Sequence, residues 1–564
     1  MKSHRKSAIV ETRAAHRGLA VSLLVIAAVL SNGMLSNQAL AGDSWPTKSH
    51  DVRRTAQSSA VGPATVKSVV SNRVNQGGAI NIAPTVSSQG TTYFGTWGTV
   101  QDNGATDRQS WDKFAGDLLA WTPTFGPSAQ LTPAFAAQPL DHVPYCNNYN
   151  PLSASPTQCG GSTTEEMSWW NGTVEGTPVL SPDENVLYMG RGDGKVYAVD
   201  AHTGLMLWDF HTCNDVNDCD KSTTNSEAGG EVVAGLLLRN STELYVGTFT
   251  AEGSGNLEST ALYKLDAASG SLLWRYPGTG TLPGTFMAAP ALSPDGQTIY
   301  AATMCWPTAN CTAPGNLYAF DPSGTLRWSV PIYDSKQRPA GSWALAVGTD
   351  NTVYLGGGGS SSCDGAFISA FGAKKGNLRW GPVSLPSGFG MPCSNRTGGI
   401  ALREVNGVTT RVYASTNFSS EFAAVGSPSG GRIFAFDPST GTQSWGSPFF
   451  DPSRYGGYGN AVYPAIDANG TIYTGASGAY TSGMPAYPVL RGARMFAVSE
   501  KGKMLWSYDA AGVVGYSSPA LSGNGVLSFG DMRARNVDPL LRPMSDPIWQ
   551  GIDVSPALYA ISGT

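Results

Sequence analysis

This sequence predicts an all-β chain built from eight copies of one four-stranded unit, and three observations predict it. A hairpin segment ending in Trp recurs six times. A second segment, two short strands around a polar turn, recurs eight times. The composition suits strands and tight turns: 69 Gly, 10% aromatics, and 14% charged residues against roughly 25% in an ordinary globular chain.

The hairpin segments are KVYAVDAHTGLMLW (195–208), LYKLDAASGSLLW (262–274), LYAFDPSGTLRW (317–328), FISAFGAKKGNLRW (367–380), IFAFDPSTGTQSW (433–445) and MFAVSEKGKMLW (495–506). In each, alternating apolar and small residues fit a strand. Asp200, Asp266, Asp321 and Asp437 can fold back onto nearby backbone N–H groups. A Gly four residues before the Trp can take a positive φ without steric cost. The chain then returns as a strand ending in Trp208, Trp274, Trp328, Trp380, Trp445 or Trp506. These indoles are spaced 66, 54, 52, 65 and 61 residues apart. One small sheet cannot bury such a ring alone, so each is expected to dock on the neighbouring unit.

Upstream of each hairpin lie the inner strand pairs, at 83–97, 176–190, 233–247, 288–302, 343–357, 398–415, 463–475 and 517–530. Each opens on small residues, as expected where strands converge on a crowded axis. Four strands per unit and eight units describe an eight-bladed β-propeller of antiparallel blades over 66–564. The first unit has a degenerate outer hairpin near GDLLAW (116–121), and a long inter-blade insertion is expected over 122–175. The eighth has a third strand in ALYAI (557–561), and the chain ends before a fourth. VKSVVSNRV (66–74) is strand-like and otherwise unpaired, so it is predicted to supply that strand. N- and C-terminal strands then close the ring. The alternative is seven blades with loose ends.

Residues 1–41 have the three parts of a secretory signal: a basic start, the apolar run 18–30, and Ala39-Leu40-Ala41. The run is shorter than the roughly 20 residues of a membrane span, although a membrane anchor is the competing reading. No later stretch reaches that length, so no span is expected in the mature chain, which would be periplasmic or secreted. Residues 42–65 form a lead-in. The net charge of −5 argues against nucleic-acid binding, which needs a basic footprint.

Eight Cys in an exported chain read as disulfides. Proximity favours Cys146 with Cys159, Cys213 with Cys219, Cys305 with Cys311, and Cys363 with Cys393, among 105 connectivities. A zinc site is the weaker reading, because no C-x-x-C occurs and the histidines are scattered.

In a four-stranded blade the first–second and third–fourth turns share one face, and here these are short. The second–third and inter-blade connections share the other face, and there they are long and hold all eight Cys. Long loops on a rigid scaffold commonly carry function. Trp169, Trp170, Trp306, Asn395 and Arg396 are therefore candidates for contacts with a ligand or partner. Asp215, Asp218 and Asp220 form an oxygen-rich loop that could hold calcium, although no full EF-hand pattern is present.

The repeated hairpin resembles the unit of the pyrroloquinoline-quinone (PQQ) repeat propellers, and the opening WPTKSHDVRRTAQSSAVGP (45–63) resembles how many such chains begin. That family includes quinoprotein dehydrogenases, which use PQQ and calcium, and non-catalytic propellers such as the outer-membrane assembly lipoprotein. VEGTPV (174–179) resembles the E-x-T-P opening of a dehydrogenase blade, which would make Glu175 a cofactor contact. The adjacent Cys pair common in the dehydrogenases is absent, as is a C-x-x-C-H haem motif. The expected function is an exported, non-catalytic scaffold that binds a protein or cell-envelope glycan through a disulfide-stapled loop face. The alternative is a PQQ- and calcium-dependent alcohol or sugar dehydrogenase that passes electrons to an external acceptor.

Overall fold

The computed structural model describes residues 43–73, 80, 82–96, 117–135, 138–139, 176–191, 194–212, 232, 234–249, 260–279, 282–304, 313–359, 365–385, 396–417, 432–447, 463–476, 479–480, 490–491, 494–510, 517–531 and 557–563. Among them there is no helix. The strands form eight four-stranded antiparallel sheets arranged in a ring, an eight-bladed β-propeller.

Blade 2 shows the unit most plainly. Val179–Leu180, Val186–Gly190, Lys195–Asp200 and Met206–His211 pair in chain order. The middle two strands are buried, with Leu187, Val196, Tyr197, Ala198 and Val199 all at 0% exposure. The outermost strand has water on its outer edge, so Met206 is half exposed. Blades 3 to 7 repeat the plan, starting at Leu237–Arg239, Ala291–Leu292, Ala340–Val347, Arg396–Val405 and Ala465–Ile466.

Blade 1 is formed by Thr85–Val86, Thr92–Gly95, Asp117–Thr124 and Gln130–Pro133. Its outermost strand thus lies inside the stretch 122–175. Trp121 sits on its third strand, edge-on to Phe94 at 5.1 Å. Blade 8 closes the ring as the alternation of 66–74 predicts. Ser68–Arg73 pairs antiparallel with Ala557–Ser562, from Ser68 opposite Ser562 to Arg73 opposite Ala557.

The outer hairpins share one local design. Asp200 accepts from the N–H groups of His202 and Thr203, and Asp437 does the same with Ser439 and Thr440. Gly204, Gly270, Gly324, Gly376, Gly441 and Gly502 all have positive φ. A register shift follows and sets the indole opposite a small residue, Trp208 against Ala198 and Trp380 against Ala370. Each of the six indoles then reaches out of its own blade. Trp208 donates to Ala267 O, Trp274 to Pro322 O, Trp328 to Ala373 O, Trp380 to Pro438 O and Trp445 to Glu500 O, all in the following blade. Trp506 donates to Pro63 O in the lead-in. The next blade's turn Gly lies flat on the ring, and a Cβ on Gly441 would stand 2.5 Å from Trp380. A Tyr of the same blade packs against each indole, from Tyr245–Trp274 at 5.8 Å to Tyr354–Trp380 at 6.0 Å.

Candidate functional site: a channel closed by the lead-in

The ring's innermost strands end in backbone N–H groups that face the axis, and an open channel would leave them to water. The lead-in takes them instead. Val86 and Trp45 exchange both backbone bonds. Leu180 N–H donates to Pro46 O, Leu292 N–H to Val52 O, Val347 N–H to Arg53 O, Leu402 N–H to Thr55 O and Ile466 N–H to Ala56 O. These are blades 1, 2, 4, 5, 6 and 7 in order. Blade 3 is held by Arg54, whose Nη2 donates to Leu236 O. Blade 8 is met at Gly525, where a Cβ would stand 2.4 Å from Val61 O. The segment winds once around the axis and touches every blade. The bonded positions lie at or within three residues of the turn-side ends of the innermost strands, so the plug sits at the short-turn face.

The winding has a local cost. Ser49, His50, Arg54 and Ala56 adopt positive φ without being Gly, a strain of roughly 1–2 kcal/mol per residue. Such a path persists where surrounding bonds over-determine it, and the plug is dense in them. Asp51 accepts from Arg53 N–H, Thr55 N–H and Thr55 Oγ1. Arg53 forks onto both oxygens of Glu404 at 2.7 Å. Gln57 exchanges two bonds with the Glu404 backbone. Asp467, fully buried in blade 7, accepts from Gly62 N–H and Tyr473 Oη.

The plug is also a charged cluster. His50 lies between Asp43 and Asp51, edge-on to Trp45 at 4.9 Å. Burial works against its charge, but the two carboxylates outweigh burial and push it up to about 9. Burial likewise opposes ionisation of the carboxylates, yet His50 and the hydroxyl and amide donors hold Asp51 down to about 2 and Asp43 lower still. Arg54 is 2% exposed and donates only to neutral oxygens, those of Pro290, Thr47, Lys48 and Leu236. Burial lowers it to about 10. Lys48 lies beside it with Nζ 4.4 Å from the centre of the Tyr463 ring. Burial, then the nearby Arg54 charge, pull Lys48 down to about 8. Tyr463 donates to Trp343 O at 2.6 Å, and burial pushes its hydroxyl well above the ordinary tyrosine range.

The candidates read from the loops fall elsewhere. Glu175, Trp169, Trp170, Trp306, Asn395, the acidic residues Asp215, Asp218 and Asp220, and all eight Cys lie outside the described residues. Arg396 opens the first strand of blade 6, opposite Asn417, and bridges to Gly358 of blade 5. Among the described residues no group of three or more His, Cys, Asp or Glu is placed to hold a metal.

Sequence reasoning missed Lys48, Arg54 and Tyr463. One signal was available for Tyr463. Three residues before the equivalent positions Val86, Leu180, Leu238, Leu292, Val347, Leu402 and Leu521 of the innermost strands stand Ala83, Thr177, Gly235, Ala289, Ala344, Gly399 and Ser518 in seven blades. The eighth position, in blade 7, is Tyr463.

Residues 158–396 match the family model described as outer membrane protein assembly factor BamB. No curated protein matches the chain. Among solved structures, a europium-containing methanol dehydrogenase is similar at 13% identity and a TM-score of 0.55, with 94% of this chain and 100% of that one covered. The quinohemoprotein alcohol dehydrogenase from Comamonas testosteroni is similar at 13% identity and a TM-score of 0.55, covering 94% of this chain and 82% of that one. BamB from Moraxella catarrhalis is similar at 14% identity and a TM-score of 0.45, covering 88% and 99%. Likeness at such identities is likeness of fold. With the Trp-ended hairpin repeated around one ring, the chain is an eight-bladed β-propeller whose fold is similar to that of the PQQ-dependent dehydrogenases.

Proposed function

We propose that this protein is an exported binding propeller that engages a protein partner through the face bearing its long connections. The observation that carries this reading is the asymmetry of the ring. One face has short turns and is closed by the plug, which bonds to seven blades and abuts the eighth. The other face bears every long connection. A ring fixed at its axis is a rigid support from which loops can be presented. The family model matched by 158–396 is named for an assembly factor, which favours a protein over a glycan as partner. The leader-like residues 1–41 support export, and the eight Cys, all in long connections, support loops stapled after export.

Photo-crosslinking in cells tests this reading. A photoreactive residue is placed at Trp169, Trp306 or Asn395 on the loop face, and at Glu184 or Asn240 on the turn face. Discrete adducts from the loop face alone are the expected result. Adducts only from the turn face, or none from either, would overturn it.

The second reading is a quinoprotein dehydrogenase, favoured by the overall likeness to two such enzymes and by Glu175 in VEGTPV. The described residues do not make a calcium shell, so no catalytic step is drawn through a quinone. Incubation of the mature chain with PQQ and calcium, followed by quinone absorbance and dye reduction over an alcohol and sugar panel, separates the readings. Stoichiometric quinone with turnover would replace the first by the second.

A further inference from the structure

Counting ion pairs at the plug leaves two cations, Lys48 and Arg54, without a carboxylate partner. Its carboxylates are Asp43, Asp51, Glu404 and Asp467, the last taken by Gly62 N–H, Thr471 N–H and Tyr473 Oη. Its cations are Lys48, His50, Arg53 and Arg54. Asp43 is taken by His50, Ser58 and Ser59. Asp51 is taken by Arg53 N–H, Thr55 and His50, and the Glu404 carboxylate by Arg53 and Thr409. Arg54 spends its donors on neutral oxygens. Among the described residues Lys48 has neither an ion pair nor a hydrogen bond from its ammonium group, which stands over the face of Tyr463.

Buried charges are normally paired, because desolvation is costly. A second cation beside Lys48 makes the missing partner an anion. The position admits one. The Lys48 stem lies along Gly235, where a Cβ would stand 3.4 Å from its Cβ and Cδ. Gly235 and Tyr463 share the layer three residues before Leu238 and Ile466, on the side of the plug away from the short turns. Every other residue in that layer is small. Ser518, in the same layer, keeps a buried hydroxyl without a hydrogen-bond partner. Lys48 itself is only partly buried.

We infer that the channel floor is an anion site, where the acidic group of a small ligand, carboxylate or phosphate, pairs with Lys48 against the Tyr463 ring. The ligand enters from the loop-bearing face. This inference is independent of which reading of function holds.

The test uses the full mature chain and two probes, inorganic phosphate and citrate, at constant ionic strength. Competitive acetylation read by mass spectrometry reports the reactivity of Lys48 against the remaining lysines. Saturable slowing of Lys48 acetylation by at least tenfold, with other lysines unchanged, is expected from one or both probes. Protection by phosphate alone assigns a phosphate ligand, and protection by citrate alone assigns a carboxylate. The variant Lys48→Met should lose the anion-dependent rise in melting temperature and, having shed an unpaired charge, should melt no lower than the parent. No protection by either anion would overturn the site. So would a Lys48→Met protein that melts several degrees lower, which would make the lysine structural.

Discussion

The indole N–H of Trp506 donates to the carbonyl of Pro63 at 2.8 Å, across 443 residues of sequence. In the other five blades that carry this Trp, the acceptor belongs to the turn between the third and fourth strands of the next blade. Blade 8 has no such turn, because its third and fourth strands come from opposite ends of the chain. Pro63 occupies the vacant place. A Cβ on Gly563, just past the third strand, would stand 2.9 Å from Pro63 Cα.

This makes Trp506 a closure residue as well as a packing residue. Trp506→Ala removes the bond to Pro63 and the contact with Tyr473 at 5.9 Å. The expected loss is about 2–4 kcal/mol, below the full cost of a buried Trp because the ring is partly exposed. Trp208→Ala should cost a similar amount. Limited proteolysis separates them: only Trp506→Ala should expose the 43–66 segment to early cleavage. Equal cleavage in both variants would mean that the ring opens anywhere.

The ring was legible in the sequence because its signal is periodic. Gly four residues before Trp, six times over, specifies a turn, a return strand and a docking ring together. Closure was legible because 66–74 alternates like a strand and had no local partner. The plug was not, because it has no period. Its bonds run from Trp45 to Val86 and from Ala56 to Ile466, and no local rule links such pairs. The lack of a carboxylate partner for Lys48 was hidden for the same reason. It depends on Glu404, some 350 residues away, taking the Arg53 side chain. Loop candidates such as Glu175 and Trp306 rested on residue type alone, since long connections carry no periodicity to place them.

Two glycines separate backbone strain from collision. Gly407 has φ +73 and open space around a Cβ, whereas Gly441 has φ +70 and the Trp380 ring 2.5 Å from a Cβ. Gly407→Ala should therefore lose only the left-handed penalty, about 1 kcal/mol. Gly441→Ala should lose that and the overpacking cost, about 2–4 kcal/mol in total. Urea midpoints of the two variants decide it. Equal losses would show that Trp380 yields without cost and that the Gly is needed for the turn alone.

The plug's charges also set a pH profile, and its sign follows from the directions of the shifts. His50 is raised from 6.5 to about 9 in the folded chain, so its contribution is complete below pH 6.5 and is lost as pH rises through 9. The shift bounds that contribution at about 3 kcal/mol. Asp43 and Asp51 are depressed, so their contributions are present above pH 4 and are lost on acidification. Lys48 is lowered from 10.5 to about 8, so its charge destabilises the fold below 8 and that cost is relieved between 8 and 10.5. Stability should therefore be highest between about pH 4 and 6.5 and should fall between 6.5 and 8. From pH 8 the release of the Lys48 proton should offset the continuing His50 loss, and above pH 9 it should act alone and raise stability. His50→Gln should flatten the fall between 6.5 and 8 and leave the alkaline rise, while Lys48→Met should do the reverse. Urea unfolding of the parent and both variants from pH 4 to 10.5 measures this. A decline between 6.5 and 8 that survives His50→Gln would place the titrating group outside the plug.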